Sequence, residues 1–270
     1  MRTVLTTGAN SGIGLATVLE LARRGFRSVG SARSEAKARV IRDAAEEAGV
    51  EVETTLLDVT DADACAEVID RLQPYGLVNN AGYTNTGAVE DVGDDEVRDQ
   101  FETMVVAPMR LARLALPAMR EEGAGRIVNV SSIYGRASTP LSGWYQASKH
   151  ALEAVSDALR IEVAAAGIHV VLVEPGGFKT GIWDDMEQSL EAHQGSVFEQ
   201  AYRRSVRLTR LAEPLMGEPE RVARVISRAL RTPLPRARYL VGYDAMAIAM
   251  TDRLAPTTLK DRILRMSLGL

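Results

Sequence analysis

A single cysteine, Cys65, stands in 270 residues, so no disulfide can close within the chain. The residues around it read as one face of a helix, which gives it a packing role rather than reactive chemistry. Histidine is scarce too: His150, His169 and His193 share no ligand spacing, and no metal site is expected. No apolar run reaches the ~20 residues that cross a bilayer, so no integral membrane segment is expected. Nothing basic and apolar precedes the first strand as a secretory leader would, and a cytoplasmic location is the expectation. An excess of positive charge is also missing. Lys and Arg number 32 against 36 Asp and Glu, for a net charge of −4, and this argues against a nucleic-acid partner. What remains is an ordinary soluble composition, 46% hydrophobic and 25% charged, enough to build a core.

The periodicity alternates along the chain. "TVLTT" reads as a buried strand and residues 12–24 as a helix; "RSVGSA" is a second strand and 35–48 a charged helix. "VEVETTLLDV", "GLVNNAG", "GRIVNVSS" and "IHVVLVEPGG" are further strands. Helices are expected over 62–72, as one long tract over about 94–120, and over 143–165, where Gly167 stops the last. Strand–helix–strand repeats predict an α/β fold, a doubly wound parallel sheet with helices on both faces. Ligands in such a sheet sit beyond the carboxyl ends of the strands. The length suits a single domain over 1–270. Residues 178–216 read as helical but interrupt the alternation, so they are expected to form an insertion over the site. Residues 244–270 alternate apolar and basic positions, as an amphipathic helix packed on the domain or on a partner subunit would, with weak membrane-surface binding as the alternative.

"TTGANSGIG" follows the first strand and opens the first helix. Gly8, Gly12 and Gly14, with Asn10, Ser11 and Ile13 between them, allow a backbone to approach a pyrophosphate at a helix N-terminus. The second strand ends without the acid that binds the ribose 2′-hydroxyl of NAD. Arg33 stands there instead, and a guanidinium can hold a 2′-phosphate; this favours NADP(H) over NAD(H). Glu35, two residues on, opposes that reading.

These residues, with "NNAG" at 79–82, Ser132 and the pair Tyr145 and Lys149, resemble the short-chain dehydrogenase/reductase family. The resemblance covers about residues 3–180. It implies a Rossmann-type sheet of about seven strands and hydride transfer between a nicotinamide and an alcohol or ketone. It implies that Asp58 and Val59 contact the adenine, and that Asn79, Asn80, Ala81 and Gly82 support the cleft. Pro175, Gly176, Phe178 and Thr180 are expected at the nicotinamide end, and a homodimer or homotetramer is expected. Tyr145 and Lys149 would themselves touch the cofactor.

The catalytic expectation has its own chemistry. A carbonyl that gains a hydride needs a proton, and Tyr145 can give one. A free phenol has a pKa near 10. An ammonium at i+4, Lys149, shares its helix face and would lower that value. Ser132 ends a strand where its hydroxyl can donate to the developing oxyanion; Ser131 is the alternative. His150 points elsewhere and is read as surface. One departure stands out: by the resemblance an Asn is expected on the long helix where this chain has Met104, whose thioether cannot hold a proton-relaying water.

Phe178, Ile182, Trp183, Met186, Leu190 and Phe198 fall at roughly helical intervals. They read either as an apolar lid over an apolar substrate or as the buried faces of amphipathic helices. The lid length and "RYLVGYDA" are similar to retinol- and hydroxysteroid-dehydrogenase-like members. Three functions are open: an NADP(H)-dependent oxidoreductase of a hydrophobic secondary alcohol or ketone, a catalytically impaired NADP(H)-sensing module, and an acyl-carrier ketoreductase. A basic patch near the site entrance would speak for the third.

Overall fold

The computed structural model describes residues 1–179, 193 and 195–270. Seven strands, β1 (Thr3–Thr6), β2 (Arg27–Ala32), β3 (Glu53–Leu56), β4 (Gly76–Asn79), β5 (Gly125–Val130), β6 (Ile168–Pro175) and β7 (Arg238–Val241), form one parallel sheet. Their order is β3-β2-β1-β4-β5-β6-β7. The order reverses between β1 and β4, which opens a crevice at their carboxyl ends.

The strands are apolar without alternation because both faces are covered. Neighbouring residues go to opposite cores, as a period of two requires. Leu5, Leu77, Ile127 and Val170 pack with Cys65, Leu111 and Met119, from α3 (Ala62–Leu72) and α5 (Ala107–Glu121). Val4, Val78, Val128 and Val171 pack with Leu21 of α1 (Gly12–Arg23) and with Val222, Ile226 and Leu230 of α8 (Pro219–Arg231). Helix α2 (Glu35–Glu47) covers the far end of the sheet through Ala38 and Ile41.

The tract expected as one helix over 94–120 is not continuous. It divides into α4 (Asp94–Phe101), a π-helical turn (Glu102–Val106) and α5. Pro108, in the first turn of α5, has no N–H for the carbonyl of Met104 four residues earlier, so a regular α-ladder cannot run through. A π turn inside a helix commonly marks a functional position.

Helix α6 (Gly143–Glu162) ends three residues before the expected 165. A 3₁₀ turn, Ala164–Ala166, follows, and Gly167 closes it at φ +71°. Within the expected insertion the described residues form α7 (Glu199–Ala212) and a 3₁₀ turn, Glu213–Leu215, with Phe178 bridged to Gly217. The C-terminal region is two helices, α9 (Tyr243–Leu254) and α10 (Thr257–Leu268). Their contact with the domain is narrow: Leu268 joins Ala88, Leu141, Ala201 and Tyr202 in one buried cluster. Each buries one side chain, Ala245 and Leu268, because their apolar faces turn outward.

Candidate active site

The crevice is a cleft of about 890 Å³. It is lined by Gly8, Asn10, Ser11, Gly12 and Ile13, by Arg33, by Asp58 and Val59, and by Asn80, Ala81 and Gly82. Ser132, Tyr145, Lys149, Pro175, Gly176 and Phe178 complete the lining named from sequence. Gly14 does not line it; a Cβ there would lie 2.3 Å from the Gly8 carbonyl oxygen and 2.6 Å from Asn80 Nδ2. Gly14 therefore lets α1 and the β4 turn close on each other. Asn79 also stays out of the cleft, buried between β4 and β5, where its Nδ2 donates to Asn129 Oδ1 at 2.8 Å. Thr180 lies outside the described residues, as do Ile182, Trp183, Met186 and Leu190.

The glycine turn is held by cross-strand hydrogen bonds. Asn80 Nδ2 donates to the carbonyls of Thr7 and Gly8 (3.0 and 3.1 Å). The amides of Asn80 and Ala81 donate to Thr7 Oγ1, each at 3.0 Å. Gly8 adopts φ +62°, and a Cβ there would lie 2.9 Å from Ala81 Cα. At the start of α1 the Ser11 side chain makes no cap hydrogen bond, and no acid lies in the first turn. The orphan amides of this helix end face the cleft with nothing of their own to neutralise them. That donor set fits the pyrophosphate of a dinucleotide.

At the end of the cleft beside β2, Glu35 is engaged elsewhere. Its carboxylate pairs with Arg42 and is absent from the lining. Arg33 is joined there by Lys37, a second cation the sequence reading missed. The signal was present, four residues past Arg33 in the first turn of α2. Asp58 is held below the usual carboxylate range by the Thr60 amide (3.0 Å) and hydroxyl (2.7 Å), with Arg33 adding to this.

At the other end α6 places Tyr145 and Lys149 on one face, and Ser132 lies two residues past the end of β5. Lys149 Nζ donates to the Val130 carbonyl at 2.9 Å and lies 5.8 Å from the Tyr145 ring centroid. The expected acidification of the phenol by the ammonium is not what this geometry produces. Burial pushes the Tyr145 phenol up to about 12, while a hydrogen bond with Ser132 pulls the other way. Burial also pushes Lys149 down to about 8, against the attraction of Glu153. Desolvation outweighs the pair because the carbonyl, not the phenol, holds the ammonium. Ser131 also lines the cleft, but its Oγ is buried without a partner. Ser132 Oγ accepts from the Tyr134 amide at 3.1 Å. His150 is exposed, as expected.

Met104 sits in the π turn, 2% exposed, and lines the cleft. The Ser148 hydroxyl points at its sulfur, 3.7 Å away. Behind Lys149 lies a cluster that sequence reading did not find. Glu153, one turn after Lys149, accepts from Arg238 Nε at 3.0 Å. Arg238 also reaches Asp157 (2.6 Å) and the fully buried Glu174 (3.2 Å). Glu174 pairs with Arg136 at 2.8 Å, and burial holds its carboxyl above the usual range. The cluster joins β6, β7, α6 and the turn after β5, so it fixes the helix that carries the Tyr–Lys pair.

Tyr202 ties α7 to the loop that precedes α4. Its hydroxyl donates to Asp91 Oδ2 at 2.8 Å and accepts from the Ala88 amide at 2.5 Å. Leu141, four residues before Tyr145, holds φ +68°, a strained value for a branched residue, and its carbonyl accepts from the Gly87 amide at 2.8 Å.

The chain is similar to known proteins over most of its length. The family described as "short chain dehydrogenase" matches residues 2–191. An uncharacterized oxidoreductase, YusZ of Bacillus subtilis, is 33% identical over 98% of this chain and 97% of its own. Human retinol dehydrogenase 5 is 30% identical over 97% of this chain and 87% of its own. A solved structure of actinorhodin polyketide ketoreductase with NADPH covers 92% of this chain and 97% of its own, at 29% identity and a TM-score of 0.76.

Proposed function

The chain belongs to the short-chain dehydrogenase family, and from that premise we propose that it transfers a hydride between NADP(H) and an apolar secondary alcohol or ketone. The observation that carries the proposal is one cleft wall bearing Ser132, Tyr145 and Lys149, continuous with the glycine turn at its other end. NADP(H), when bound, supplies or accepts the hydride; the rest falls to this chain's own groups. In reduction, Tyr145 gives its phenolic proton to the carbonyl oxygen. With its pKa near 12 the phenol is protonated at neutral pH, the form a proton donor needs. Ser132 stands beside it to donate to the developing oxyanion. Lys149 supplies positive charge behind the phenol and holds its place through Val130 and Glu153.

The preference for NADP(H) rests on Arg33 and Lys37 and on the diversion of Glu35 to Arg42. A relative bound to NADPH in its solved structure supports it. An apolar substrate is supported by the buried Met104 and Phe178 in the lining and by the relative named as a retinol dehydrogenase. Assembly as a homo-oligomer would use the face of α6 and the π turn, where Val106, Val155 and Ile161 are exposed.

Met104 favours one second reading, a module that binds NADP(H) without turning over, since a thioether holds no relay water. One experiment separates the two. NADPH oxidation is followed by absorbance against a panel of apolar ketones, for wild type, Tyr145→Phe and Met104→Asn. The enzyme reading expects turnover in wild type, a loss of about 10²–10⁴-fold in Tyr145→Phe, and NADPH binding intact in both variants. Tyr145→Phe turning over at the wild-type rate overturns the role of the phenol. Tight NADPH binding with no turnover in wild type or Met104→Asn establishes the binding module.

A further inference from the structure

We propose that Asp244, in the first turn of α9, is a positioning residue that fixes the Gly176–Gly177 turn and so seats the nicotinamide ring. The proposal rests on the hydride-transfer reading, since that reading is what puts the ring at this end of the cleft. The glycine turn after β1 receives the pyrophosphate, and the hydride must travel within reach of Tyr145. The ring therefore lies along the wall that Pro175 and Gly176 share with Ser132 and Tyr145. Strand β6 leads into that wall and pairs with β5, past whose end the Ser131 amide donates to the Val173 carbonyl at 2.8 Å.

The turn has no side chain of its own with which to hold itself, and glycine loses more freedom on folding than any other residue. The chain is fixed on either side of it. Before it, Pro175 pairs with Val241 of β7, and the Gly176 amide donates to the Val241 carbonyl at 2.9 Å. After it, Phe178 is 4% exposed in the core that β6 shares with α8. Between these points, Asp244 is the one side chain among the described residues that hydrogen-bonds the turn: its Oδ2 accepts from the Gly177 amide at 2.5 Å. That amide belongs to the peptide joining the two glycines. The peptide is trans, so the Gly176 carbonyl points away from Asp244, and it accepts from no described residue. Holding the plane thus aims a free acceptor on a residue of the cleft lining. The carboxamide N–H groups of a nicotinamide are donors of the matching kind.

The berth of this carboxylate is built from glycine. A Cβ on Gly176 would lie 2.2 Å from Asp244 Oδ2, and one on Gly242 would lie 2.3 Å from Oδ1. Gly242 also adopts φ +119°, which other residues reach only under strain. The sequence stretch "RYLVGYDA" therefore supplies both the carboxylate and the glycine that makes room for it. Asp244 reaches the turn across 67 positions because β7 lies beside β6. Helix α9 also packs against Ile133–Gly135, the turn that follows Ser132. A carboxylate in a first helical turn stabilises the helix as well, and the test has to separate that role from the one proposed.

The test compares two ligands by isothermal titration of the full chain: NADPH, and 2′-phospho-ADP-ribose, which lacks the nicotinamide ring. Asp244→Ala leaves the Gly177 amide without its acceptor and should weaken NADPH binding about tenfold or more. Binding of 2′-phospho-ADP-ribose should stay within about twofold of wild type. Asp244→Asn keeps an oxygen in the same place and should recover most of the loss. Asp252→Ala, on the same helix but paired with Lys260, should change neither ligand. Asp244 is exposed, so the variants should fold, which circular dichroism checks; Asp244→Ser, too short to reach the amide, replaces Asp244→Ala if that one does not. NADPH bound by Asp244→Ala as tightly as by wild type overturns the proposal. An equal loss for both ligands also overturns it and leaves Asp244 a role in helix stability alone. Failure of the hydride-transfer reading looks different: wild type itself would then bind the two ligands equally or not at all, and the proposal would fall with it.

Discussion

The glycine turn and the C-terminal helices are stabilised in opposite ways. Around Gly8 and Gly14 the chain is packed until no added methyl group fits. Thr7 and Asn80 tie two strands together there by four hydrogen bonds to backbone groups. On α9 and α10 the large apolar side chains face outward, and one ion pair, Lys260 to Asp252 at 2.6 Å, links the two helices. The two helices are nearly neutral, with four Lys and Arg against three Asp and Glu over residues 243–270. The difference teaches where each region finds its partner. The turn is complete in itself and presents backbone donors to a small anion, whereas the helices leave their apolar area for a surface that the folded chain does not contain.

The largest effect should come from breaking the packed side. Gly14→Ala sets a Cβ 2.3 Å from a backbone oxygen, so the turn must open. A loss of about 3 kcal/mol is expected, and dinucleotide binding should go with it. Urea titration and NADPH fluorescence read the two. A variant as stable as wild type would show that the turn is less tightly packed than its neighbours imply.

Next in size is the buried ammonium. Lys149 keeps its proton to about pH 8 in the folded chain, against 10.5 for the free side chain. Between those values the unfolded chain holds more protons, so stability rises with pH. The opposite shift of Tyr145, from 10 to about 12, makes stability fall above pH 10. The rise belongs to the window from about pH 8 to 10 and is of the order of 3 kcal/mol. Lys149→Met should raise stability at pH 7 and flatten that slope in urea titrations of the ligand-free protein. A slope unchanged by the substitution would mean that the ammonium is better solvated than its burial implies.

Much of the packed side was legible in the sequence because its chemistry is local. Gly8 to Gly14 lie in one turn, and Tyr145 and Lys149 are one helical turn apart, so spacing alone sets their geometry. What spacing could not show is the support behind them. Arg238 meets Glu153 across 85 positions and Arg136 meets Glu174 across 38, and only strand order brings such partners together. The break in the 94–120 helix was within reach, since Pro108 denies the Met104 carbonyl its donor. The apolar periodicity of 244–270 announced a stripe but not which way it would face. Periodicity records that one side of a helix is apolar and carries no information about what covers it.

A smaller effect should separate cations placed for a ligand from cations placed for a surface. Arg33→Ala and Lys37→Ala should each weaken NADPH binding about tenfold, roughly 1.4 kcal/mol, and leave NADH binding unchanged. Arg262→Ala, on the exposed helix, should change neither. Isothermal titration with both dinucleotides decides it. Equal losses for NADPH and NADH would place Arg33 and Lys37 away from the 2′-phosphate.

The smallest effect is the most pointed, because it turns on the absence of one. Ile226 is fully buried and Ile263 is 56% exposed, although both sit in amphipathic helices of similar length. Truncating a buried isoleucine removes its transfer energy and leaves a cavity, so Ile226→Ala should cost about 2–5 kcal/mol. Ile263→Ala removes neither and should stay within about 0.5 kcal/mol of wild type, as should Met250→Ala. Urea midpoints at several protein concentrations check this. If Ile263→Ala destabilises the chain as Ile226→Ala does, and more so as concentration rises, then the helix is buried in solution against another copy. The contrast between a self-sufficient turn and an outward-facing pair of helices would then hold only for the monomer.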